Sequence, residues 1–130
     1  MRGAWTLLPL LLLAGCKAPA PPAAAGARVY VVRGEVVQAP SPVAAGTQVL
    51  VRHEAIDDFA DATGMVVGMD AMVMPFEVAT TLVPRGLSAG DKVAVRFSMD
   101  WKEPRLRVEG IDRLPPGTVL TFRAARAAGR

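Results

Sequence analysis

Three of the six methionines in this 130-residue chain, Met69, Met72 and Met74, fall within the stretch GMDAMVMPFEV, which runs at once into Pro75-Phe76. The one histidine, His53, closes an alternating run, TQVLVRHE. Thioether sulfur and imidazole nitrogen are neutral, polarisable donors. Softness of this kind selects Cu(I) and its relative Ag(I) over Zn(II), Mg(II) or Ca(II). Successive side chains on a strand alternate faces, so Met72, Met74 and Phe76 share one face and Val73 and Pro75 the other. Met72 and Met74 then sit about 7 Å apart along the strand, and their flexible arms can converge on one point. One imidazole and two thioethers would make a three-coordinate soft site. Pro75 supplies no backbone N–H, and is expected to weaken pairing beside the methionines and open the sheet to a ligand. Methionine is also a common filler of core gaps, so spacing alone leaves packing as the commoner explanation.

Other chemistry finds little support. The sequence has no G-x-S-x-G elbow, no Gly-rich phosphate loop and no cysteine beyond Cys16, so nucleophilic and phosphoryl-transfer sites lack their parts. No enzyme is expected. Residues 28–115 carry 10 Lys and Arg against 12 Asp and Glu, a net charge of −2; the overall +3 comes from Arg2, Lys17 and the C-terminal arginines. That excludes a basic nucleic-acid footprint. Five acids, Glu54, Asp57, Asp58, Asp61 and Asp70, lie in one segment, a poorer match for phosphate than for a cation.

The elements that must position these residues are strands. Residues 28–38 are rich in β-branched side chains, with Gly34 at an expected bend or bulge. Residues 47–54 place Val49, Val51 and His53 on one face. Residues 71–79 carry the methionines, residues 91–100 alternate Val93, Val95 and Phe97, and residues 105–114 form a fifth strand. APSPVAAGT reads as turn punctuation, and PPGTVLTF as a short extension of the last strand. Five short strands with no long helix predict an all-β fold, a small antiparallel barrel or sandwich, and their number and spacing suit a five-stranded OB-like barrel.

The ends read differently. MRGAWTLLPLLLLAGC has a basic start, a short apolar run and a small-residue cleavage site, as a signal peptide does. Its LAGC resembles the lipobox of bacterial lipoproteins, which implies lipidation of Cys16 and a membrane anchor outside the cytoplasm. The expected organisation is a signal peptide over 1–15, the lipidated Cys16 and an Ala/Pro-rich tether over 16–27, the folded domain over 28–120, and a basic tail over 121–130. The tail, with Arg123, Arg126 and Arg130, is expected to be frayed or a short helix.

VRGEVV, VRHEAI, MDAMVMPFEV, GLSAGDKVAVRF and VEGIDRLPPGTVL occur in this order, and in this the chain resembles CusF-like periplasmic copper/silver-binding domains over residues 28–120. The resemblance implies an OB-fold barrel carrying Cu(I) or Ag(I), with His53, Met72 and Met74 as ligands. It implies a metallochaperone or metal buffer in copper homeostasis, serving a periplasmic efflux or delivery protein. Where well-known members place a tryptophan over the metal, this chain has Met69, which is either a fourth, thioether ligand or a hydrophobic cover. Trp101 is expected to pack, and Met65 and Met99 to stand outside the site. The chain also departs from the family pattern by about eight inserted residues between His53 and the methionines. That loop could close over the site, add a ligand, or pull His53 out of register. The alternative reading is a lipid-anchored OB-fold interaction module without metal, its methionines serving as adaptable contacts.

Overall fold

The computed structural model describes residues 27–126. The signal peptide, Cys16 and most of the tether lie outside these residues. Six antiparallel strands form one curled sheet: β1 (Arg28–Val36), β2 (Ser41–Val43), β3 (Gly46–His53), β4 (Met72–Val78), β5 (Lys92–Asp100) and β6 (Arg105–Arg113), with a single 3-10 turn at Thr80–Leu82. The five long strands fall where alternation predicted them. The three-residue β2 falls within APSPVAAGT, where turn punctuation is expected. It forms because β1 leaves β3 at Val36↔Val51, and Ser41↔Gln48 then continues the same edge. Its central Pro42 lies on a sheet edge, where a missing N–H is tolerated.

The hydrogen-bonded order is β2-β3-β1-β5-β6, with β4 on the other edge of β3. The sheet curls into an OB-like half-barrel, but β4 and β6 meet without a ladder, so the edges are not fully closed as a barrel would close them. A groove of about 410 Å³ marks this seam, lined by Glu77, Val78, Arg105 and Arg107 among others.

Inward residues at every second position build the core. Val49, Val51, Phe76, Val93, Val95 and Phe97 are fully buried, with Tyr30, Val32 and Val36 beside them. β6 departs from strict alternation: a register shift opposite Arg96/Phe97 lets both Val108 and Ile111 face inward, as one extra residue on a strand requires. Gly34 is the bend. There β1 pairs with Val93 of β5 and His53 of β3 at once, and a Cβ would lie 2.5 Å from a Val51 methyl and 2.6 Å from the Arg52 carbonyl. Only glycine allows this approach, which brings β3 close enough for its last residue, His53, to be held.

Candidate metal centre

β3 ends at His53 and β4 begins at Met72, and the two residues face each other across the ladder; Met74 faces Val51 and Phe76 faces Val49. His53, Met72 and Met74 therefore share one face, as alternation predicted. Leu50 turns its carbonyl to the Val37 N–H, 2.9 Å away, so its backbone polar groups point away from β4. Backbone direction alternates along a strand, so Leu50↔Pro75 is a non-hydrogen-bonded pair, while His53↔Met72 and Val51↔Met74 are narrow hydrogen-bonded pairs about 5.5 Å apart at Cα. This corrects the expectation for Pro75. Its missing N–H falls on the free edge of β4, the β3–β4 pairing runs unbroken through it, and the methionines stand on an intact ladder.

The imidazole of His53 is fully buried. Its Nδ1 lies 2.7 Å from the backbone carbonyl oxygen of Glu54. A carbonyl can only accept, so the neutral ring carries its proton on Nδ1 and leaves the Nε2 lone pair bare. Nε2 is buried with no hydrogen-bond partner. A buried, unpaired polar atom costs about 1–3 kcal/mol, and a metal-ligating histidine has this arrangement, one nitrogen fixed by a carbonyl and the other free to coordinate. Met74 is half-buried and packs on the core, while Met72 is 49% exposed. The face thus grades from a sequestered nitrogen to a solvent-facing thioether.

Met69 lies three residues before Met72, bridged to Ile56 by two backbone hydrogen bonds of 2.9 Å, and packs against the core. The inserted loop does not pull His53 out of register. It folds back through bridges Ile56↔Met69 and Ala60↔Val66. Phe59 at its centre is buried against Tyr30, with centroids 5.2 Å apart, and meets Trp101 edge-on at 6.3 Å. The Ala60 N–H donates to the Tyr30 hydroxyl, and Trp101 Nε1–H donates to the Ala60 carbonyl, each at 3.1 Å. Trp101 therefore packs, as expected. Met99 is half-buried against the core and Met65 is exposed.

The acidic segment was expected to favour a cation. Four of its five acids instead hold protein groups. Glu54 pairs with Arg33 at 2.7 Å and accepts the Thr121 N–H at 2.8 Å. Asp57 takes a two-pronged contact from Arg123 at 2.9 and 2.8 Å. Asp61 caps its own turn through Thr63 and Met65, and Asp70 accepts the Ala125 N–H. Among the described residues no three His, Cys, Asp or Glu side chains are placed to share one ion, so these acids do not build a calcium- or magnesium-type oxygen site. The C-terminal segment, expected to be frayed or helical, is neither through residue 126. It lies extended over these acids, with Ala125 buried. The charge pattern held this signal: residues 54–70 contain five acids and no Lys or Arg, so their partners had to come from elsewhere in the chain.

The same contacts set a pH dependence. The Arg123 guanidinium, helped by the Arg126 N–H, holds the Asp57 carboxyl well below the usual carboxylate range. Burial pushes Glu54 up, but Arg33 and the Thr121 N–H together outweigh it, and its net shift is down. The Thr63 hydroxyl and nearby N–H groups likewise lower Asp61. A carboxyl lowered on folding adds stability that is present above its unfolded pKa and lost as pH falls. Urea denaturation is expected to show constant stability near neutrality and a decline below about pH 5. Asp57→Asn should flatten that decline; an unchanged slope would mean that the pair is not formed in solution.

A family model described as copper binding periplasmic protein CusF matches residues 29–113. The comparisons with curated proteins and with solved structures give no match.

Proposed function

The chain belongs to the family of the copper binding periplasmic protein CusF, and on that premise we propose that it is a carrier or buffer of Cu(I), or of Ag(I), rather than an enzyme. The ion is cargo. His53 Nε2 and the sulfurs of Met72 and Met74 bind it, and Met69 is the candidate for a fourth contact. The observation that carries this reading is the buried Nε2 of His53, left without a partner while Nδ1–H donates to the Glu54 carbonyl. A structural histidine would satisfy both nitrogens. This one lies on the same face as two thioethers.

Thioethers need no deprotonation before they bind a metal ion. The exposed Met72 is the ligand an incoming donor meets first, and ligand exchange would begin there and end at the buried nitrogen. The recipient is a periplasmic copper efflux or delivery protein. The lipid on Cys16 would keep the exchange at a membrane surface.

The test is anaerobic titration of residues 27–130 with Cu(I) against a chromophoric chelator, beside His53→Leu. The parent is expected to bind one equivalent, and the variant to bind at least about 100-fold more weakly, or about 2.7 kcal/mol. A folded parent that takes no Cu(I) would sink the reading and leave the metal-free interaction module in its place.

A further inference from the structure

We propose that Arg123 is a positioning residue for the metal site, and that residues 121–126 form a strap which keeps the ends of β3 and β4 together and slows loss of the ion. This rests on the assignment of His53, Met72 and Met74 as ligands. Two of those ligands occupy the last residue of one strand and the first residue of the next, followed by a long connection rather than a tight turn. Strand ends are where a ladder opens most easily. Fraying there would part His53 from Met72 while the rest of the barrel stayed folded.

The strap crosses at this place and binds both sides of it. On the β3 side, Thr121 donates its N–H to Glu54, the residue after His53, at 2.8 Å. The Arg52 guanidinium, one residue before His53, lies 4.1 Å from the Phe122 ring centroid. On the β4 side, Ala71, the residue before Met72, donates its N–H to the Arg123 carbonyl at 2.9 Å, and Asp70 accepts the Ala125 N–H at 2.7 Å. Asp57 then fastens the strap from the inserted loop, taking both prongs of Arg123 and the Arg126 N–H at 2.7 Å. A fork of this kind fixes direction as well as distance. The residues flanking both ligands are thus tied to one segment, and Arg123 is the side chain that locks it.

Groups that orient a metal ligand from behind typically change affinity by about 10- to 100-fold when removed, and a comparable change in release rate is expected here. In the full chain, Cu(I) release to excess chelator should accelerate by at least about tenfold in Arg123→Gln and in Asp57→Asn. The charge-exchanged pair Asp57→Arg/Arg123→Asp should recover part of the loss. Arg96→Gln, which breaks an exposed pair with Glu109 on the opposite part of the sheet, should leave release unchanged. Amide hydrogen exchange at Ala71 and Thr121 should rise in Arg123→Gln, with little change in the β5 amides. Release unchanged in Arg123→Gln while the Ala71 amide is exposed would overturn the strap and leave the metal reading intact. A rise matched by Arg96→Gln would reduce it to general destabilisation, and that also overturns it. A parent that binds no Cu(I) would remove both.

Discussion

Replacing Met72 and Met74 together by leucine is expected to lower Cu(I) affinity by about 1,000-fold or more, or about 4 kcal/mol, while the protein stays folded. Leucine conserves volume, and such swaps in packed positions usually cost less than about 1.5 kcal/mol. Met72 is 49% exposed and contributes little to the core, so its share of that cost is small. The sulfurs are another matter. Without them the ion keeps the imidazole and at most the Met69 sulfur, too few soft donors to hold it against a chelator. Single substitutions should fall between parent and double variant. Met74→Leu should cost more than Met72→Leu in release rate, because the half-buried sulfur is the one shielded from exchange. Chelator competition and thermal unfolding on the same samples separate the two effects. Parent-like affinity in the double variant would mean that the methionines only fill space.

Phe76→Ala is expected to cause the largest loss of stability, about 3–5 kcal/mol. Phe76 is fully buried, faces Val49 across the ladder and meets the Phe97 ring at a centroid distance of 5.8 Å. A cavity there opens between β4 and β5, and no side chain at a strand position can swing in to fill it without leaving its own face. Small domains have only about 5–15 kcal/mol in total, so this one change removes a large share of it. Urea denaturation would record it as a lower midpoint at unchanged slope. A loss under about 1 kcal/mol would show that the site collapses freely, and that the face carrying the methionines is not rigid. Because Met74 packs on the same cluster, metal affinity should fall in parallel.

The sequence pattern reached the strands and the face, but not the details that make the face reactive. Val49, Val51 and His53, Val93, Val95 and Phe97, and Met72, Met74 and Phe76 all sit where period-two alternation puts them. The pleat forces that result, and one side of each strand had to be apolar. Ser41–Val43 was hidden because its pairing depends on where β1 departs, which Gly34 decides through a contact with Val51 and Arg52. The shift that turns both Val108 and Ile111 inward is likewise a property of two strands, not of one. The effect of Pro75 is hidden for a related reason. Its effect depends on which edge its nitrogen faces, and only the register settles that. The acids from Glu54 to Asp70 suggest a cation because the partners of three of them, Arg33, Thr121, Arg123 and Ala125, lie far away in the chain. The tautomer of His53 is set by the direction of the next residue's carbonyl, which no residue type encodes.

The most direct test of the central claim is nitrogen-15 NMR of the His53 imidazole, recorded before and after one equivalent of Ag(I). The account predicts that, without the ion, Nδ1 carries the proton and Nε2 has the shift of a bare lone pair. On addition of Ag(I), Nε2 should move strongly, with Nδ1 still protonated and bonded to the Glu54 carbonyl, and the methyl signals of Met72 and Met74 should move with it. An imidazole unchanged by bound Ag(I), or a proton already on Nε2 in the free protein, would contradict it.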